Sequence, residues 1–274
     1  MEHNYWIHDL DPFLFRFGEN FGIRYYGLAY LLSFLIAFGL LALYYRKGRS
    51  PLASEQQSNA LFAVIVGVLA GGRMGYMLFY DLGGFVQNPL TLFKVWEGGM
   101  ASHGGFLGGI AALVWIARRE KIPFLRVADL FATLAPPGLL LGRVANFING
   151  ELWGRVTDVS WAVIFPASAP GAPLDSIPPR HPSQLYEAAL EGALLLVYLQ
   201  IRFWKTDVVR THPGQLAGEF LLLYAMARIF CEFFREPDAG LILGMSRGIF
   251  FSIFLAIAGI AVIVISRKRA ARVL

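Results

Sequence analysis

Arg73, His103, Arg143, Asn146, Arg228 and Glu232 stand within, or at the ends of, long apolar runs. A charge at the centre of a bilayer costs about 2.5–3.5 kcal/mol on insertion scales, so each charged group needs a partner, a wet cavity or an interfacial position. Three arginines set against one or two acids read as an excess of positive charge. An anion held among the helices would supply what is missing. In a membrane the most available one is a lipid phosphate, which a planar guanidinium can grip through parallel N–H bonds.

The densest polar cluster is the stretch from Gly142 to Arg155, GRVANFINGELWGR. Helical spacing puts Arg143, Asn146 and Gly150 near one face. Pro136 and Pro137 upstream could open backbone carbonyls to a cavity, and Asn149-Gly150 is a turn signal that ends the helix. A guanidinium, an amide and the Glu151 carboxylate are thereby gathered at one end of a span. Ordinary helix caps with a snorkelling arginine are the bland alternative. Arg228, Glu232 and Arg235 follow an i, i+4, i+7 spacing, so they share a face and can bind one another or a common anion. The bland alternatives there are an ion pair that locks helix packing and, for Arg235, snorkelling to the interface. His103 sits in Ser-His-Gly-Gly, with Gly108-Gly109 beyond it. An intramembrane histidine often serves as an interhelical hydrogen bonder, but the glycines suggest the wall of a cavity. No His, Cys or acidic set has metal-ligand spacing, so no metal is expected.

These residues must be positioned by helices. Of 274 residues 56% are hydrophobic, 15% aromatic and only 16% charged, which is outside the range of a soluble globular domain. Apolar stretches long enough to span a bilayer recur seven times, at about 23–45, 60–80, 98–117, 127–148, 183–203, 214–234 and 249–265. An all-α, polytopic protein is expected, a single integral membrane domain over 1–274. The proline-rich segment 149–182 would be an external loop or small cap within it. Lys and Arg number fourteen on one set of alternate loops and seven on the other. Basic residues stay preferentially on the cytoplasmic side, which places the N-terminus outside and the C-terminus inside. The net charge of +5 lies in short groups beside the apolar runs, so it argues for topology and against nucleic acid. Cys231 is the one cysteine, which excludes an intramolecular disulfide. The N-terminal residues have no basic region followed by an apolar core and cleavage site, and they read as mature, interfacial chain.

The sequence resembles the prolipoprotein diacylglyceryl transferase family of the bacterial inner membrane. The resemblance rests on Gly142, Arg143, Asn146, Phe147, Asn149, Glu151 and Gly154, on His103 with its glycines, on Tyr25-Tyr26-Gly27, and on Arg228, Glu232, Arg235, Pro237 and Asp238. It extends over essentially the whole chain. It implies a multi-pass enzyme that moves the diacylglyceryl group of phosphatidylglycerol to the lipobox cysteine thiol of a prolipoprotein signal peptide. A thioether would form and glycerol phosphate leave, with no metal or organic cofactor needed. The resemblance further implies Arg143 and Arg228 as phosphate ligands, His103 as general base or orienting group, and Glu232 as the group that orients Arg228. Asn146 would hold the headgroup, Glu151 would position Arg143 or polar substrate groups, Tyr26 would offer a hydroxyl, Arg235 would join the binding face, and Gly154 would serve the backbone. Two other classes stand against this one. A transporter or flippase for an anionic lipid would use buried arginines equally well, although no internal repeat is evident. An assembly scaffold would leave the cations without enough partners.

Overall fold

In the computed structural model, which describes residues 5–18, 22–94, 99–237 and 240–271, backbone contacts divide the chain into two units. The first comprises Met1–Ala37 with Asp129–Leu274 and the second Phe38–Ala128. Asp238 and Arg272 lie outside the described residues. Helix α1, Tyr25–Arg46, begins in the first unit and ends in the second.

The rest of the second unit is α2 (Ser54–Phe79), α3 (Leu82–Gln87), a 3-10 turn at Pro89–Phe93 and α4 (Ser102–Arg119). Gly67, Gly71 and Gly75 of α2 face Gly104 and Gly108 of α4 so closely that a Cβ on any of the five would overlap the opposite backbone. This is the small-residue packing by which helices associate in lipid, where no hydrophobic force drives them together. Gly104 and Gly108 after His103 therefore serve a helix contact, and the expectation that they wall a cavity is corrected. The Gln56 amide ties the start of α2 to the end of α4: its oxygen accepts from Ala53 N at 2.7 Å and its nitrogen donates to Glu120 Oε2 at 2.6 Å.

The first unit continues through α5 (Phe124–Ala132), which starts just before the unit boundary, and α6 (Ala135–Ile148). Pro136 and Pro137 occupy the first turn of α6, where a helix has no use for their missing N–H groups. They start a helix; they do not open one, contrary to expectation. After the 149–182 stretch, α7 (Ser183–Glu187) runs through a π-helical segment, Ala188–Leu194, into α8 (Leu195–Lys205). Then come α9 (Val208–Thr211), α10 (Gln215–Glu232) and α11 (Arg247–Ala270). Gly192 of the π segment leaves no room for a Cβ against the Leu140 backbone of α6, and Gly218 of α10 likewise meets Gly259 of α11. Buried Asp129 caps α10 from a distance in sequence, accepting from Gly214 N at 2.6 Å and Ala217 N at 2.8 Å.

Among the described residues four stretches are long and apolar enough to cross a membrane: Tyr25–Arg46, Ser54–Phe79, Phe124–Ile148 and Arg247–Ala270. The chain is a helical membrane protein. Helices also occupy the described parts of the other three expected stretches, and two of these, 183–203 and 214–234, carry the buried Glu187, Glu191 and Glu232. The all-α expectation misses two small ribbons. The strands β1 (Trp6–Ile7) and β4 (Val163–Ile164) pair in parallel, and β2 (Phe13–Arg16) pairs with β3 (Gly22–Arg24) antiparallel.

Candidate functional site

Three elements of the first unit bring an arginine–glutamate cluster together. Arg143 comes from α6, Glu187 and Glu191 from α7 and the π segment after it, and Arg228 and Glu232 from α10, with Arg235 just beyond. Glu187 Oε2 accepts from Arg143 Nε at 2.9 Å, and its Oε1 accepts from Arg228 Nη1 at 3.0 Å and Arg235 Nη1 at 2.9 Å. Glu191 takes longer contacts from Arg143 Nη2 at 3.5 Å and Arg228 Nη1 at 3.4 Å. Arg228 Nη2 also donates to Glu232 Oε1. One carboxylate thus fixes three guanidiniums.

The burial is graded. The Glu187 and Glu191 side chains are 0% exposed, Arg228 is 12% exposed and Arg143 is 19% exposed. The acids lie innermost, with the arginines towards the open side. Arg143 Nη1 has no hydrogen bond among the described residues. An ion pair buried in apolar surroundings gains little net stability because both charges lose their water, so its value here lies in fixed orientation. Three arginines face three glutamates, and this overturns the expected excess of positive charge. The missing acids stand in the stretch 183–203, and their i, i+4 spacing inside an apolar run was the available signal. Arg235 is also corrected: it is 4% exposed and bonded to Glu187, so it does not snorkel.

At the end of α6, Asn146 is 5% exposed and its Nδ2 donates to Glu151 Oε1 at 2.7 Å. Among the described residues the Glu151 carboxylate bonds Asn146 and Asn149 and makes no bond to Arg143. The Glu151 carbonyl accepts from Gln184 Nε2 at 2.6 Å, which ties this turn to α7. Gly150 closes the helix with φ +64°, a left-handed conformation suited to glycine, and lies under the His8 ring. A Cβ on Gly154 would press on both His181 and the Phe234 carbonyl, because residues 154–155 run against 234–235. Arg155 N donates to Phe234 O at 2.8 Å, and Arg155 Nε to Arg235 O at 3.0 Å. The expectation that Gly154 serves the backbone has this steric basis. Nearby, His181 Nδ1 lies 3.1 Å from Tyr186 Oη, which also accepts from Trp161 Nε1 at 2.7 Å. Partial burial pushes the His181 imidazole below its ordinary 6.5.

Tyr26 lies near the start of α1, its ring 5.4 Å from that of Tyr30, and lines an open cavity of about 460 Å³ with Ile23, Arg24 and Leu31. His103, at the start of α4, and Arg73 belong to the second unit. The histidine is exposed. Buried Arg73 gives Nη2 to Thr91 O at 2.6 Å and Nη1 to Gly99 O at 3.2 Å. Among the described residues no three His, Cys, Asp or Glu side chains are grouped to hold a metal ion. The first-unit cluster can hold an anion on guanidinium edges already oriented by the acids behind them.

Comparison with known proteins identifies a family. The family model for prolipoprotein diacylglyceryl transferase matches residues 12–265. A phosphatidylglycerol–prolipoprotein diacylglyceryl transferase of Pseudoalteromonas atlantica is 47% identical over 95% of this chain and 90% of its own length. Proteins of the same name are 49% identical in Photobacterium profundum, over 85% of this chain and 83% of theirs, and 44% identical in Zymomonas mobilis, over 90% and 85%.

Proposed function

The chain belongs to the prolipoprotein diacylglyceryl transferase family and is a bacterial membrane transferase, and from that premise we propose that its arginine–glutamate cluster holds the phosphate of phosphatidylglycerol during diacylglyceryl transfer to a prolipoprotein cysteine. The cysteine sulfur attacks the glyceryl carbon that bears the phosphate ester. The S–C bond forms, the C–O bond breaks, and glycerol phosphate leaves with the bonding electron pair.

The observation that carries this reading is the pair Arg143 and Arg228, held by Glu187 and Glu191 with Nη1 of Arg143 still open. Negative charge grows on the leaving phosphate as the C–O bond breaks. Fixed cationic donors stabilise that state more than the ground state, and they need no reorganisation as the reaction proceeds. Glu232 orients Arg228, and Arg235 completes the bonds on Glu187. Asn146, steadied by Glu151, holds the glycerol headgroup, and Gly154 keeps the 154–155 backbone against 234–235. Tyr26 offers its hydroxyl to the headgroup. A thiol of pKa about 8.5 is mostly protonated at neutral pH. His103 takes the proton or orients its acceptor.

The preferred substrate is the lipobox cysteine that follows a signal peptide, and the enzyme works in the inner membrane. It is a single integral membrane domain with seven crossings, the N-terminus and the 149–182 cap being external. Purified protein given labelled phosphatidylglycerol and a lipobox peptide should form the thioether and release glycerol phosphate; a cysteine-containing peptide without the lipobox should react far more slowly. Release of label without a thioether would overturn the reaction. For orientation, single cysteines at positions 47, 119 and 210 in a Cys231→Ala background should resist an impermeant thiol reagent in intact cells, while one at position 172 reacts. Labelling of the first three from outside would reverse the topology.

A further inference from the structure

The first unit has a second polar cleft, of about 290 Å³, which none of the residues assigned to the reaction lines. The end of α8, α9 with its flanking turns, the start of α10 and the last turn of α11 form it, through Arg202, Asp207, Thr211, His212, Gln215 and Arg267. We propose that it is a headgroup site for a zwitterionic aminophospholipid, taking the phosphate on the arginines and the ammonium on Asp207 and Gln215.

The buried side of the cleft is locked. Arg202 gives Nε and Nη2 to the two oxygens of Glu219 at 3.0 and 2.8 Å. Glu219 also accepts from Tyr198 Oη at 3.2 Å and from Gln215 Nε2 at 2.8 Å. These bonds commit Glu219 and fix which end of the Gln215 amide is which. Gln215 is 3% exposed, yet its buried Oε1 has no hydrogen-bond partner. A buried acceptor left without a donor carries a penalty that a ligand N–H would remove. The Arg202 side chain also reaches Tyr198, and its guanidinium lines the cleft from this locked position.

The exposed side holds two opposite charges that do not meet. Asp207 and Arg267 both line the cleft, and among the described residues neither side chain has a hydrogen-bond or ion-pair partner. Two surface charges with room to pair gain by doing so; here they stand apart across a space of headgroup size. A ligand carrying both signs satisfies both. Phosphatidylglycerol brings the phosphate but no cation, and it would leave Asp207 beside an anion. The ammonium of an aminophospholipid supplies donors for Asp207 and for the stranded Gln215 oxygen. The setting fits a lipid: Arg267 opens the basic run Arg267, Lys268 and Arg269 in the last turn of an apolar spanning helix, where headgroups lie. The volume falls at the lower end of the roughly 300–1,000 Å³ typical of small-ligand clefts, enough for a headgroup whose acyl chains stay in the bilayer.

The test uses the whole protein, reconstituted in nanodiscs of equimolar phosphatidylethanolamine and phosphatidylglycerol, with retained lipid read by native mass spectrometry. The wild type should keep one phosphatidylethanolamine at this cleft in addition to any phosphatidylglycerol held at the reaction site. Asp207→Asn should lose that phosphatidylethanolamine while phosphatidylglycerol is kept, and Arg267→Gln should lower its retention roughly tenfold, the loss of one charge-assisted bond. Both residues are exposed, so thermal unfolding and the rate of diacylglyceryl transfer should match wild type. Unchanged phosphatidylethanolamine retention in the Asp207→Asn, Arg267→Gln double variant would overturn the site, as would a wild type that retains no phosphatidylethanolamine. A loss of lipid tracking a loss of transfer activity would place that lipid in the reaction site and overturn the proposal as well.

Discussion

Among the described residues Arg73 in the second unit gives its guanidinium to two backbone carbonyls, those of Thr91 and Gly99, whereas Arg143 and Arg228 in the first give theirs to the side chains of Glu187 and Glu191. All three arginines stand in apolar helices, yet the acceptors set them to different work. The carbonyls belong to the segment after α3 and to the approach to α4, so Arg73 pins chain to helix α2. Carboxylates cancel charge, fix the fork of each guanidinium and leave an outward edge for another oxygen. A buried arginine on carbonyls therefore reads as architecture, and one on carboxylates with an open edge reads as a binding surface.

Breaking the carboxylate-held side should have the largest effect. Arg228→Gln removes the donors that reach Glu187, Glu191 and Glu232. The initial rate of thioether formation per folded enzyme should fall by about 10²–10³, as when one preorganised donor to a developing anion is lost. An undiminished rate would place the phosphate elsewhere. Glu187→Gln keeps the shape but removes the charge shared by Arg143, Arg228 and Arg235. Losing that orientation should cost roughly ten- to a hundredfold in rate, equivalent to one charge-assisted bond; a wild-type rate would show that the arginines need no acid behind them. The smallest effect on rate belongs to the carbonyl-held side. Arg73→Met should lower unfolding stability by about 1–3 kcal/mol, the cost of stranded buried acceptors, and leave the rate per folded molecule within about twofold. A large rate defect in a fully folded Arg73→Met protein would erase the distinction.

Much of the helical frame was legible because apolar runs of spanning length and a helix-ending Asn149-Gly150 follow from local chemistry. Arg143, Asn146, Arg228 and Glu232 could be singled out because polar groups in such runs are costly. The acids behind the arginines were harder to see. Glu187 and Glu191 are buried where α7 and the π-helical segment after it pack on α6 at Gly192, a tertiary outcome that spacing alone does not dictate. Arg73 and Arg143 are alike in sequence, each an arginine after a glycine in an apolar run, and only the acceptors separate them. The glycines after His103 suggested a cavity until the facing row Gly67, Gly71 and Gly75 accounted for Gly104 and Gly108. Strands β1 and β4 have two residues each, too few to show a period of two.

The distinction meets its most direct test in one single-turnover experiment at saturating phosphatidylglycerol and lipobox peptide, comparing wild type with Arg143→Lys and Arg73→Lys. Lysine keeps the charge and loses the planar fork. At Arg143 the fork both binds Glu187 and presents its open edge, so the rate of thioether formation should drop by about 10² or more, the loss expected of a positioned oxyanion donor. Arg73→Lys should react at close to the wild-type rate. Equal rates for all three proteins, or a defect as deep at Arg73 as at Arg143, would contradict the claim that the carboxylate-held arginines are the ones that carry the phosphate.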